Sequence, residues 1–113
     1  MSGNKYPFEL ISRRLKALAD PSRLVILHTL CEGEHNVSEL VEKTGFTQAN
    51  VSKHLRVLRE EGLVTYRKNQ RNVFYALAGN FTEDVCGLVC RSLEKRASAD
   101  QEILERYRSN RNE

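Results

Sequence analysis

Tryptophan is absent from this 113-residue chain, proline occurs twice and methionine once. No hydrophobic stretch approaches the roughly 20 residues that a membrane-spanning helix needs. The opening residues, MSGNKYPFEL, lack the apolar centre of a secretory signal. With 40% hydrophobic and 29% charged residues, the composition is that of a soluble globular protein, and a cytoplasmic location with no membrane association is expected. Only three cysteines are present; an odd number without a secretory signal argues against a disulfide scaffold and for reduced thiols. Also missing are a glycine-rich phosphate loop, a plausible nucleophile triad, and paired carboxylates placed for a cleft. Glu60-Glu61 and Glu83-Asp84 fit helix ends instead, so an enzyme is not expected. A chain of this length predicts one domain, 1–113, with a modest core that dimerisation would complete.

What the chain does have is an uneven charge distribution. The net charge is +3, but residues 48–72 hold six basic side chains (Lys53, Arg56, Arg59, Arg67, Lys68, Arg71) against two acidic ones (Glu60, Glu61), giving +4 there and −1 elsewhere. A basic segment on a neutral body predicts a polyanion-binding face. Within it, GFTQANVSKHLRVLREEG (45–62) reads as one amphipathic helix. Thr47 suits the N-cap, Val51, Leu55 and Leu58 recur at i, i+4 and i+7, and Gly62 can take the left-handed position after the last turn. Gln48, Asn50, Ser52, Lys53 and Arg56 are left facing outward, where they can bond base edges or phosphate oxygens.

The flanking sequence gives that helix its setting. Phe8, Ile11, Leu15 and Leu18 predict a first helix with Arg13, Arg14 and Lys16 on its wet side. Asp20 and Pro21 suit the N-cap and first position of a second, whose core-facing residues would be Leu24, Ile26, Leu27 and Leu30, and which Gly33 ends. Asn36 and Glu39 stand at capping-box spacing ahead of a short third helix, Val37 to Thr44. Only Gly45, Phe46 and Thr47 separate it from the polar helix, which makes 37–61 a helix-turn-helix. After Gly62 the period falls to two, and Leu63 to Arg67 and Val73 to Leu77 predict a β-hairpin over 63–78 with an Asn69–Asn72 tip. Arg67, Lys68 and Arg71 make it a basic wing. From Asn80, again with a capping-box partner in Glu83, a long helix follows with an interrupted apolar stripe through Val85, Leu88, Val89, Leu93, Ile103, Leu104 and Tyr107. The gap between Lys95 and Asp100 predicts a bend or a discontinuous contact, and Ser109 to Glu113 are expected to fray. A helix of about 40 Å, at 1.5 Å per residue, outreaches so small a body. The helices in 1–20 and 80–108 are therefore the expected dimerisation elements. The fold class is mainly α with a β-hairpin wing, a winged helix-turn-helix.

This order, together with Leu18-Ala19-Asp20-Pro21-Ser22-Arg23-Leu24, Val37-Ser38-Glu39-Leu40, Gln48-Ala49-Asn50-Val51-Ser52-Lys53-His54-Leu55, Leu58-Arg59-Glu60-Glu61-Gly62-Leu63-Val64 and Tyr75-Ala76-Leu77, resembles the ArsR/SmtB family of winged-helix bacterial repressors. The resemblance runs from about Leu15 to Cys90. It implies a homodimer that binds an imperfect palindrome in double-stranded operator DNA and releases it on binding an inducer. Gln48 and Asn50 would then read bases, while Ala49 lies between them in the matching stretch. Ser52, Lys53, His54 and Arg56 would hold phosphates with Arg67, Lys68 and Arg71 of the wing. His54 has a second reading, since it lies beside the apolar stripe and suits helix packing. A winged-helix module that contacts proteins is the competing function.

Two metal sites of that family are not matched. Where some members carry two cysteines in a third-helix motif, this chain has Asn36 and Ser38. Where others have a ligand set on the last helix, Asp84 is followed by Ala97 and Asp100. Cys86 and Cys90 instead stand four apart on one helical face, suited to a soft thiophilic ion such as arsenite or to oxidation, with Cys31 as a further thiol. A Cys86–Cys90 disulfide within a regular helix would be strained, so oxidation would join Cys31 to one of them or cross the dimer. The same two residues also read as a small-residue packing seam. No cofactor is certain, and His28 and His35 read as solvated or core-edge residues.

Overall fold

Four helices and three strands precede one long helix in the computed structural model, which describes residues 7–111. The helices are α1 (Phe8–Leu18), α2 (Pro21–Leu30), α3 (Val37–Thr44), α4 (Gln48–Glu60) and α5 (Phe81–Arg111); the strands are β1 (His35–Asn36), β2 (Val64–Asn69) and β3 (Asn72–Leu77). Local chemistry sets most of these boundaries. The Asp20 carboxylate accepts from the Arg23 amide at 3.0 Å, capping α2 with Pro21 at its first position. That bond, more than the nearby Arg23 charge, holds the Asp20 carboxyl below its ordinary value. Arg23 also closes the preceding helix: its Nε and Nη2 donate to the carbonyls of Ala17 (2.7 Å) and Lys16 (3.0 Å) at the end of α1.

The capping box at α3 forms in both directions. Asn36 Oδ1 accepts from the Glu39 amide, and Glu39 Oε1 accepts from the Asn36 amide, each at 2.8 Å. Gly45 ends α3 at φ 78°, and the Thr47 hydroxyl accepts from the Asn50 amide at 3.1 Å to start α4. At the far end of α4 the Leu63 amide reaches back to the Leu58 carbonyl and the Gly62 amide to that of Arg59. This pair of bonds around Gly62, at φ 72°, is a Schellman closure, and it buries Leu58 and Leu63 together. The chain therefore leaves α4 in the direction that starts β2.

The body, residues 7–82, is one of two compact units, and residues 83–111 are the other. Its core is built by Ala17 and Leu18 of α1, Ile26, Leu27 and Leu30 of α2, Leu40 of α3, and Val51, Leu55 and Leu58 of α4, closed below by Leu63 and Val64. Leu24, expected in the core, lies on the exposed side of α2, because the buried face is centred on Ile26, Leu27 and Leu30. The sheet has the order β1-β3-β2 and is antiparallel throughout. The third strand was not foreseen: β1 is only two residues long and pairs His35 with Tyr75 and Asn36 with Phe74. His35 is buried there, its Nδ1 2.7 Å from the Gly33 carbonyl. In the hairpin Asn69 pairs with Asn72, so the turn is Gln70 and Arg71 alone, with Gln70 at φ 60°.

The second unit is the remainder of α5, whose helical backbone runs without a break across Lys95 to Asp100. Lys95, Arg96, Ala97 and Ala99 are good helix formers, and Arg96 pairs with Asp100 at 3.8 Å, so the gap in the stripe does not interrupt the backbone. Ser109, expected to fray, is still helical; residues 112 and 113 lie outside the described residues.

Candidate nucleic-acid interface

The three-residue link Gly45–Thr47 sets α4 against α3 with its stripe inward and its first turns outward. Gln48, Ala49, Asn50, Ser52 and Lys53 are all exposed, and among the described residues the side chains of Gln48, Asn50, Ser52 and Lys53 make no hydrogen bond or ion pair. A run of amide, hydroxyl and ammonium groups left without protein partners at a helix N-terminus can engage base edges and phosphates with no internal bond to break. Further along the same face, Arg56 is exposed and 3.5 Å from Glu60, a weak i,i+4 pair that a phosphate can replace.

His54 is placed differently from its neighbours. It is half-buried, with Nδ1 3.5 Å from Arg23 Nη1, so its ring lies on the packed flank of α4 toward α2. That position is consistent with the helix-packing reading of His54.

The wing's three basic residues also separate. Lys68 and Arg71 are exposed and have no ion-pair partner among the described residues. Arg67, by contrast, donates from Nε and Nη2 to the two oxygens of Glu34, both at 2.8 Å, and its guanidinium lies 5.2 Å from the Phe74 ring centroid. These bonds, with the Arg67 charge behind them, hold the Glu34 carboxyl below its ordinary value and raise Arg67 further.

One participant escaped the sequence reading. Arg59, near the end of α4, stacks its guanidinium 3.8 Å from the Tyr66 ring centroid and donates to the Tyr66 hydroxyl at 2.9 Å. Tyr66 in turn pairs across the hairpin with Tyr75, the rings 6.3 Å apart. The polar helix and the wing's first strand are thus braced against each other beside an open groove lined by Ser52, Arg56, Arg59, Glu60 and Tyr75. An arginine one turn before a helix-ending glycine, followed by an aromatic in the next strand, was the available signal.

Away from this face, Cys86 is half-buried and Cys90 exposed on α5, while Cys31 is exposed at the end of α2. Among the described residues no three His, Cys, Asp or Glu side chains stand close enough to share a metal ion. Among the described residues no helix is long and apolar enough to cross a membrane.

Known proteins with similar sequences and folds point the same way. The family model for bacterial regulatory proteins of the arsR family matches residues 20–66. A biofilm growth-associated repressor of Xylella fastidiosa is 43% identical over 67 residues, a stretch that covers 59% of this chain and 59% of that protein. The transcriptional activator HlyU of Vibrio cholerae is 39% identical over 77 residues, covering 68% of this chain and 71% of HlyU. Its reduced form superposes with a TM-score of 0.65 at 36% identity, over 74% of this chain and 88% of that one. A homodimeric winged helix-turn-helix DNA-binding domain from Mycobacterium bovis, a possible ArsR-family regulator, gives a TM-score of 0.73 at 30% identity, over 84% and 89% of the two chains. The chain thus spans little more than half the length of the first of these relatives.

Proposed function

Since the chain belongs to the bacterial arsR family of regulatory proteins, we propose that it is a homodimeric, sequence-specific DNA-binding regulator of transcription, acting as a repressor on a palindromic operator. The observation that carries this reading is the N-terminal half of α4. Gln48, Asn50, Ser52 and Lys53 leave an otherwise well-capped helix with its polar groups unspent, directly after a tight turn and beside a basic wing. Two such helices related by a dyad would enter successive major grooves about one helical turn apart. Gln48 and Asn50 would read bases, with Ser52, Lys53, Arg56, Lys68 and Arg71 on phosphates.

The dimer half of the reading is supported by apolar surface that one chain leaves uncovered. On the body, Leu10, Ile11, Leu15 and Phe81 line a shallow pocket of about 360 Å³ with Arg14. On the second unit, Leu88, Val89, Leu93, Ile103 and Leu104 are each more than half exposed. A second copy of the chain would cover such stripes. Both a repressor and an activator occur among the similar proteins.

The release signal in this reading is a thiol event at Cys86 and Cys90, with Cys31 as a further thiol: a soft thiophilic species such as arsenite, or an oxidant. Placement of the two thiols one turn apart on α5 favours it. Fluorescence anisotropy of the reduced protein on the DNA upstream of its own coding region, with and without stoichiometric arsenite or a mild oxidant, tests both parts. Tight binding to that duplex over a scrambled one, lost on treatment and retained on treatment by Cys86→Ser/Cys90→Ser, is the expected result. Absence of sequence preference would remove the regulator reading, and insensitivity of DNA-bound protein to treatment would remove the thiol signal alone.

A further inference from the structure

The wing's basic residues look equivalent in sequence, yet one of them is already paired within the chain. Arg67 of β2 lies opposite Phe74 of β3, and Phe74 lies opposite Asn36 of β1. From that register the Arg67 side chain reaches across the middle strand, past the Phe74 ring, to Glu34 two residues ahead of Asn36. Both guanidinium donors on one edge are used, in two parallel bonds of 2.8 Å to a carboxylate 33 residues away. This fork is the same geometry with which arginine grips a phosphate. Arg67 cannot offer that edge to DNA while Glu34 holds it. Glu34 also cancels the charge of Arg67, leaving Lys68 and Arg71 as the wing's uncompensated cations.

We propose that Glu34 is a positioning residue of the DNA interface: it holds Arg67 as a strut between the wing and the strand that leads into the helix-turn-helix, and so keeps Arg67 off the phosphate backbone. The inference rests on the DNA-binding reading given above and deepens it by dividing the wing into a bound root and a contacting tip. A carboxylate here lowers the number of phosphates each protomer neutralises by one. It thereby limits the sequence-independent part of the affinity and leaves a larger share to Gln48 and Asn50.

The test is the salt dependence of affinity for one fixed upstream duplex, measured by anisotropy on the reduced full chain for wild type, Glu34→Gln, Arg67→Gln and the double variant. Each added phosphate contact steepens the slope of log K against log salt by about 0.9. Glu34→Gln is expected to steepen it by about that amount per protomer, because Arg67 is freed. Arg67→Gln should leave the wild-type slope unchanged, and the double variant should match Arg67→Gln. A merely structural pair would not produce this pattern. Flattening by Arg67→Gln, with no change for Glu34→Gln, would overturn the inference by showing Arg67 on a phosphate in the complex. A wild type with no salt-dependent binding at all would fail the regulator reading instead. The strut is also read without DNA: the Arg67 Nε–H resonance should move in Glu34→Gln, and an unmoved resonance would overturn the pairing itself.

Discussion

In α4 the stripe residues Val51, Leu55 and Leu58 are at most 1% exposed, whereas in α1 Ile11 and Leu15, at the same helical spacing, keep 46 and 47% of their surface. Both helices are amphipathic and each carries several basic residues on its wet side, so periodicity alone would assign them the same role. The difference lies in what stands opposite. The α4 stripe meets α2, α3 and the start of β2, while among the described residues the outer part of the α1 stripe lies open at the pocket it forms with Phe81. A buried stripe fixes a helix so that its far side can present functional groups in a defined place. An uncovered stripe marks where the chain is incomplete by itself.

Several substitutions sharpen that contrast. Leu55→Ala removes a fully enclosed side chain and is expected to cost about 2–5 kcal/mol of folding stability in urea titrations. Ile11→Asp should barely alter the stability of the body but weaken self-association by about 2 kcal/mol or more, seen as monomers by sedimentation velocity at concentrations where wild type is dimeric. An unchanged dimer would break the contrast, since the α1 stripe would then need no cover. Asn50→Ala or Gln48→Ala should each lose about 1–3 kcal/mol of preference for the operator over scrambled DNA while leaving thermal unfolding unaltered. Asp20→Ala removes the α2 cap and should cost about 1 kcal/mol, read in the same unfolding assay.

The smallest effect is one of pH. Glu34 is held below its ordinary value of 4.5 by Arg67, so its contribution to stability is present above the ordinary value and is lost as pH falls through the lowered one. Wild type should therefore lose slightly more stability than Glu34→Gln across that acidic window, and the difference should shrink in high salt because the pair is exposed.

The helix boundaries were legible in the sequence because their causes are local. Asp20-Pro21, Asn36 with Glu39, Thr47 and Gly62 each act within a turn or two, and the structure uses every one of them. What stayed hidden depends on distant partners. β1 is two residues of no particular pattern and becomes a strand only because Tyr75 and Phe74 are beside it. The wing's positive charge could be counted, but not that Glu34 neutralises part of it from across the sheet. His54 borders the stripe, where period cannot decide between inward and outward, and its half-buried place beside Arg23 involves a partner 31 residues away. Leu24 misled for the opposite reason: hydrophobicity suggested the core, but the helix turns that position outward.

In the proposed complex α4 reads DNA as one of a dyad-related pair. Hydroxyl-radical footprinting of the reduced protein on its upstream duplex tests this most directly. Two protected patches on one face of the duplex, centred about one helical turn apart, both weakened by Asn50→Ala, are the predicted result. A single patch, or uniform protection indifferent to Asn50→Ala, would contradict it.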